Sequence, residues 1–114
     1  MTLFSVYIKD TLIGHSELEL GDAPMGVVFG NFIPNTNYDN LKSKIVGSYG
    51  DQAHLELQMY TETGIRIPCI AVGIEDNTAE LPEWLQIEIL GIPYPEYENI
   101  FPHHVQAYKD LFKK

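Results

Sequence analysis

A chain of 114 residues, 45% hydrophobic and 20% charged, has the composition of an ordinary globular protein and is expected to fold as a single domain over residues 1–114. Its net charge of −9, from 16 acidic against 7 basic residues, repels phosphate, so nucleic acid and anionic membranes are poor partners and a basic protein or a metal cation fits better. The lone Cys69 has no internal disulfide partner; its apolar flanks Ile67, Ile70 and Val72 predict a buried, inert thiol.

Residues 3–9 alternate, with Phe4, Val6 and Ile8 on one side and Leu3, Ser5, Tyr7 and Lys9 on the other, the period of a half-buried strand. Residues 12–20 follow after only Asp10 and Thr11, which predicts an opening β-hairpin, with Gly14 weakening its second strand or marking a bulge. Gly21-Asp22-Ala23-Pro24 is a turn. Residues 25–33 then read as a third strand, and the four-residue spacing of Gly26 and Gly30 predicts a shallow groove on one face or relief of crowding under a neighbouring strand. Pro34 to Asn37 stops it. Thr36 or Asn37 is expected to cap a short helix over residues 38–46, closed by Gly47.

Leu55, Leu57 and Met59 alternate with polar neighbours in another strand, and residues 65–74 return as an interrupted one, because Pro68 has no N–H for a ladder. In residues 84–90, Leu85, Ile87 and Ile89 face one way and Trp84, Gln86, Glu88 and Leu90 the other. Prolines at 93, 95 and 102 predict an extended surface segment over 91–102, docked through Tyr94, Tyr97, Ile100 and Phe101. Pro102 then opens a final helix whose apolar side carries Val105, Tyr108, Leu111 and Phe112. The sum is an α+β fold, a twisted and mainly antiparallel sheet of about six strands with a short middle helix and a C-terminal helix.

Catalytic and metal-binding patterns are weak. Glu17 and Glu19 share one face of the predicted strand, but with Leu18 and Leu20 directed to the core both carboxylates belong in water. His103 and His104 are adjacent on a helix, so their side chains diverge by about 100° and suit no common ion; at a helix N-terminus both are expected to stay neutral. The serines lack a glycine-flanked elbow, and no glycine-rich phosphate loop precedes a helix. No cofactor, no metal and no enzymatic activity are expected. Nor is a membrane partner, because polar residues break every apolar run and residues 1–10 lack a secretion signal, so a cytoplasmic protein is expected.

What stands out is residues 67–108, which contain no lysine or arginine while holding a series of carboxylates among aromatic side chains. Carboxylates steer a basic partner and rigid aromatics anchor it. The residues expected to bind that partner are Glu75, Asp76, Glu80, Glu83, Trp84, Tyr94, Glu96, Tyr97 and Glu98. In size, acidity and absence of a catalytic constellation the chain resembles the small bacterial immunity proteins of toxin–immunity systems, including those of contact-dependent inhibition. That resemblance implies an inhibitor that covers the cationic surface of a nuclease-type toxin domain. Two other readings stay open: a structural or regulatory module, a homodimer included, pairing through a sheet edge, and a small ligand-binding protein or enzyme using His15 or His54 with a carboxylate.

Overall fold

The computed structural model describes residues 2–48 and 52–112. The opening hairpin forms as the alternation requires. β1 (Phe4–Ile8) pairs antiparallel with β2 (Thr11–Ser16), from Phe4 opposite Ser16 to Ile8 opposite Thr11, with an irregularity between Val6 and Tyr7. Phe4 and Val6 are buried, and Lys9 makes the turn with a φ of 54°.

The two long strands predicted over residues 12–33 each break in the middle. β2 ends at Ser16 and β3 (Leu20–Asp22) resumes beyond a corner; β4 (Val27–Asn31) likewise hands over at Phe32 to β5 (Ile33–Pro34). β3 pairs with β4 and β2 with β5, so the whole stretch is one long hairpin bent across two sheets. The bend follows from burial of Leu18 and Phe32 at the corner, where Leu18 is fully enclosed with a φ of 46° and its N–H donates to Ser16 Oγ at 3.0 Å. Strands that switch sheets at such corners are the usual way two sheets share one core. The result is two four-stranded antiparallel sheets, β5-β2-β1-β6 and β3-β4-β8-β7, in place of one sheet of about six strands. Glu17 and Glu19 consequently lie in the corner and not on a strand face, and Glu19 Oε1 accepts from the Asn31 N–H at 3.2 Å. The expected glycine groove is absent for the same reason. Gly26 lies in a turn with φ 66°, and the Glu19 carboxylate covers Gly30.

The remaining elements close around this hairpin. α1 (Thr36–Asp39) and α2 (Lys42–Gly47) divide the predicted middle helix. The cap is Asn35, whose Oδ1 accepts from the N–H groups of Asn37 and Tyr38. After a 3-10 turn at Ala53–Leu55, β6 (Leu57–Tyr60) extends the first sheet. Pro68 keeps residues 65–70 outside the named strands, and the second sheet gains β7 (Ala71–Asp76) and β8 (Leu85–Leu90).

Residues 91–102 are not an extended surface segment. They fold into α3 (Glu96–Ile100), which drives Tyr97 and Phe101 to full burial between the sheets. α4 (Pro102–Asp110) follows, but it docks only through its first turn, with His104 and Val105 buried while Leu111 and Phe112 remain 78% and 69% exposed. The expected apolar face of that helix therefore stops at Val105. One cluster unites the inner faces of both sheets, drawing Val6, Ile13 and Met59 from the first and Val28, Ile87 and Ile89 from the second. Cys69 is half-buried against it, and burial raises the thiol pKa while the Arg66 charge opposes that shift. No helix among the described residues is long and apolar enough to cross a membrane.

Candidate functional site

Alternation in β8 decides which side chains the second sheet turns outward. Ile87 and Ile89 are buried in the core, so Gln86, Glu88 and Leu90 point away from it. Register then carries that outer face across the sheet. Leu20 sits beside Phe29, Phe29 beside Glu88, and Glu88 beside Gly73; Asp22 sits beside Val27, and Leu90 beside Ala71. Leu20 and Leu90 are 52% and 38% exposed. The face is an apolar strip, with the carboxylates of Asp22 and Glu88 on it and Glu75 beside Gln86 at its end.

The sheet carries no basic side chain. The 7 lysines and arginines of the chain are Lys9, Lys42, Lys44, Arg66, Lys109, Lys113 and Lys114. Among the described residues they lie in the β1–β2 turn, on α2, ahead of β7 and on α4. β7 and β8 come from the cation-free residues 67–108, and β3 and β4 come from residues 10–41, a second stretch without lysine or arginine. Folding adds the two stretches into one sheet. Beside β7 lies an open groove of about 490 Å³, whose lining includes Phe29, Gly73, Glu75, Glu88 and Leu90 on the sheet and Glu56 across its edge.

The nine residues expected to bind a partner divide into two groups at opposite ends of β8, separated by its six residues or about 20 Å. Glu75, Asp76, Glu80, Glu83 and Trp84 lie at its start. The tip between β7 and β8 is braced by hydrogen bonds from Asn77 N to Trp84 O (2.9 Å), Leu81 N to Asn77 O (2.8 Å) and Trp84 N to Leu81 O (2.8 Å). It presents Leu81 and Trp84, 55% and 39% exposed, next to the exposed Glu80 and Glu83. Asp76 is not part of that display, because its carboxylate is enclosed and accepts from Tyr38 Oη at 2.5 Å, Thr78 Oγ1 at 2.6 Å and Thr78 N at 3.0 Å, with Lys42 Nζ 3.9 Å away. Burial pushes its pKa up, but the Thr78 and Tyr38 hydrogen bonds and the Lys42 charge outweigh that and leave it below the usual carboxylate value. The Tyr38 hydroxyl is driven strongly upward by burial and by the same carboxylate.

Tyr94, Glu96, Tyr97 and Glu98 lie beyond the other end of β8. Tyr97 is fully buried and its hydroxyl donates to Val27 O at 2.9 Å. It cannot anchor a partner, and burial together with the neighbouring Tyr94 and Asp22 raises its pKa to about 12. Tyr94 stacks on Tyr97 with ring centroids 5.4 Å apart and donates to Ala23 O at 2.8 Å, keeping one face in solvent. Glu98 is exposed on α3 and Glu96 half-buried.

His104 serves the fold. His104 Nε2 donates to Leu18 O at 2.8 Å and its ring stacks on Phe101, fastening α4 to the corner between the sheets. His103 has its pKa lowered by burial and by His104, in keeping with the neutral form expected at a helix N-terminus. His54 Nε2 lies 3.2 Å from Ser48 Oγ, and His15 is half-buried in β2 opposite Ser5. Among the described residues no three histidine, cysteine, aspartate or glutamate side chains converge as a metal-holding group. No family model, curated protein or solved structure matches this chain.

Sequence reasoning missed Phe29 as a surface residue and read Asp22 only as part of a turn, because cross-strand register brings them together. Glu88 and Leu90 were legible in principle, since the alternation of β8 marks both as outward.

Proposed function

We propose that this protein acts without catalysis, as an acidic inhibitor that binds a basic protein partner through the outer face of its second sheet and the tip between β7 and β8. The exclusion of every lysine and arginine from that four-stranded sheet carries the reading. An acidic face flanking the exposed Leu90 and Trp84 and the half-buried Phe29 supports steering followed by anchoring, in which charge sets the encounter rate and these three side chains supply buried contact. A braced tip loses little entropy on binding, so its side chains are suited to the anchoring role. A nuclease-type toxin domain is the partner class this chemistry fits, because its active site is cationic in order to hold phosphate. Blocking such a surface is the task of an immunity protein.

Titration against cationic nuclease toxin domains at increasing ionic strength tests the proposal. Affinity should fall at least tenfold between about 50 and 500 mM salt, over which the Debye length shrinks from roughly 14 to 4 Å. A complex indifferent to salt would point instead to pairing through a sheet edge.

A further inference from the structure

Among the described residues β7 is an edge strand of the second sheet, and one position of the neighbour it lacks there is filled by a side chain. The buried Gln52 places its carboxamide against Ile74: Gln52 Oε1 accepts the Ile74 N–H at 2.7 Å, and Gln52 Nε2 donates to Ile74 O at 2.8 Å and to Ile45 O at 3.1 Å. A primary amide here makes the paired bonds that a peptide group of an adjacent strand makes. Because Ile74 turns its backbone polar groups away from β8, the two-residue period of the strand turns those of Val72 the same way. Val72 lines the groove beside β7, where Gly73 presents no side chain and Ala71 only a methyl group. Among the described residues Glu56, Glu75 and Glu88 also line that groove and no lysine or arginine does, although Lys9 Nζ lies 3.9 Å from Glu56 Oε2.

We infer that the groove receives an extended segment of the partner, rich in lysine or arginine, which pairs with β7 at Val72 and continues the ladder that Gln52 begins. This rests on the proposed binding of a basic protein and adds how the partner is held. The backbone bonds supply register, and the carboxylates of Glu75 and Glu88 select for basic side chains, Glu56 being paired with Lys9; added strands are recognised in this way at other sheet edges. An acidic segment is repelled. A compact helix lacks exposed backbone groups to offer Val72.

The probe is a capped octapeptide of alternating lysine and valine, with two companions: the same peptide with glutamate for lysine, and the lysine peptide N-methylated at alternate residues. Amide exchange of Val72 and chemical-shift changes across the second sheet are read with each, and oligomeric state is checked by sedimentation. The expected result is that the lysine peptide slows Val72 exchange at least tenfold, the glutamate peptide does not, and N-methylation on the pairing edge weakens binding at least tenfold. Salt-dependent binding of the lysine peptide to the sheet face, with Val72 unprotected and N-methylation without effect, would overturn the edge pairing and leave the basic-partner reading standing. Absence of any salt-dependent binding to the second sheet would overturn both. A chain that is already dimeric, with Val72 protected before peptide is added, would overturn the inference in favour of a second copy as occupant.

Discussion

The difference between a carboxylate that displays charge and one that holds a fold is visible at Asp76 and Glu80. Both belong to the same acidic stretch, yet Asp76 is enclosed by Tyr38, Thr78 and Lys42 while Glu80 is exposed. The Tyr38 hydroxyl ties α1 to the end of β7 from 38 residues away, a distance over which no sequence periodicity reaches. Replacing Tyr38→Phe removes a hydrogen bond to a charged group and is expected to cost about 1.5–3 kcal/mol in chemical denaturation. Acid sensitivity follows with a definite sign. The Asp76 carboxyl is depressed in the fold, so its contribution is present above the ordinary carboxylate pKa and is lost as pH falls through the folded value. Asp76→Asn is therefore expected to flatten the acid limb of the stability–pH curve, whereas Glu80→Gln should leave that limb in place.

Strand identity was largely legible at the level of elements, and strand allegiance was not. The alternations in β1, β6 and β8 state their own buried faces, and the turn residues divide the chain near the right places. Nothing local announces that residues 12–20 and 25–33 each serve two sheets. That depends on Leu18 and Phe32 both finding room in a core built from distant parts. The C-terminal third erred for a related reason. Prolines at 93, 95 and 102 suggested an extended surface segment, but Tyr97 and Phe101 gain more by burial, and the short helix α3 delivers both. Phe101→Ala should destabilise by about 3–5 kcal/mol, while Leu111→Ala, in a side chain left exposed, should change stability by less than about 0.5 kcal/mol. The corner has its own test. Ser16→Ala strands the buried Leu18 N–H and should cost about 1–3 kcal/mol, read from the denaturation midpoint at unchanged slope.

At the scale of the whole molecule, charge separation was half legible. The sequence marks residues 67–108 as free of lysine and arginine, but folding splits their acidic and aromatic side chains between the two ends of β8 and retires Asp76 and Tyr97 to the interior. It also adds β3 and β4 from a second cation-free stretch. The resulting surface is broader than the nine expected residues and centred on Glu88, at mid-sheet between Phe29 and Gly73. Exposed charges contribute little to folding, so reversing them separates recognition from stability. The most direct measurement is the affinity for a cationic nuclease toxin domain of a variant carrying Glu80→Lys, Glu83→Lys and Glu88→Lys, beside one carrying Glu96→Lys and Glu98→Lys. The expected result is a loss of at least a hundredfold in the first and less than tenfold in the second, with the folding stability of both within about 1 kcal/mol of the parent. Unchanged affinity in the first variant would contradict the assignment of the second sheet as the binding face.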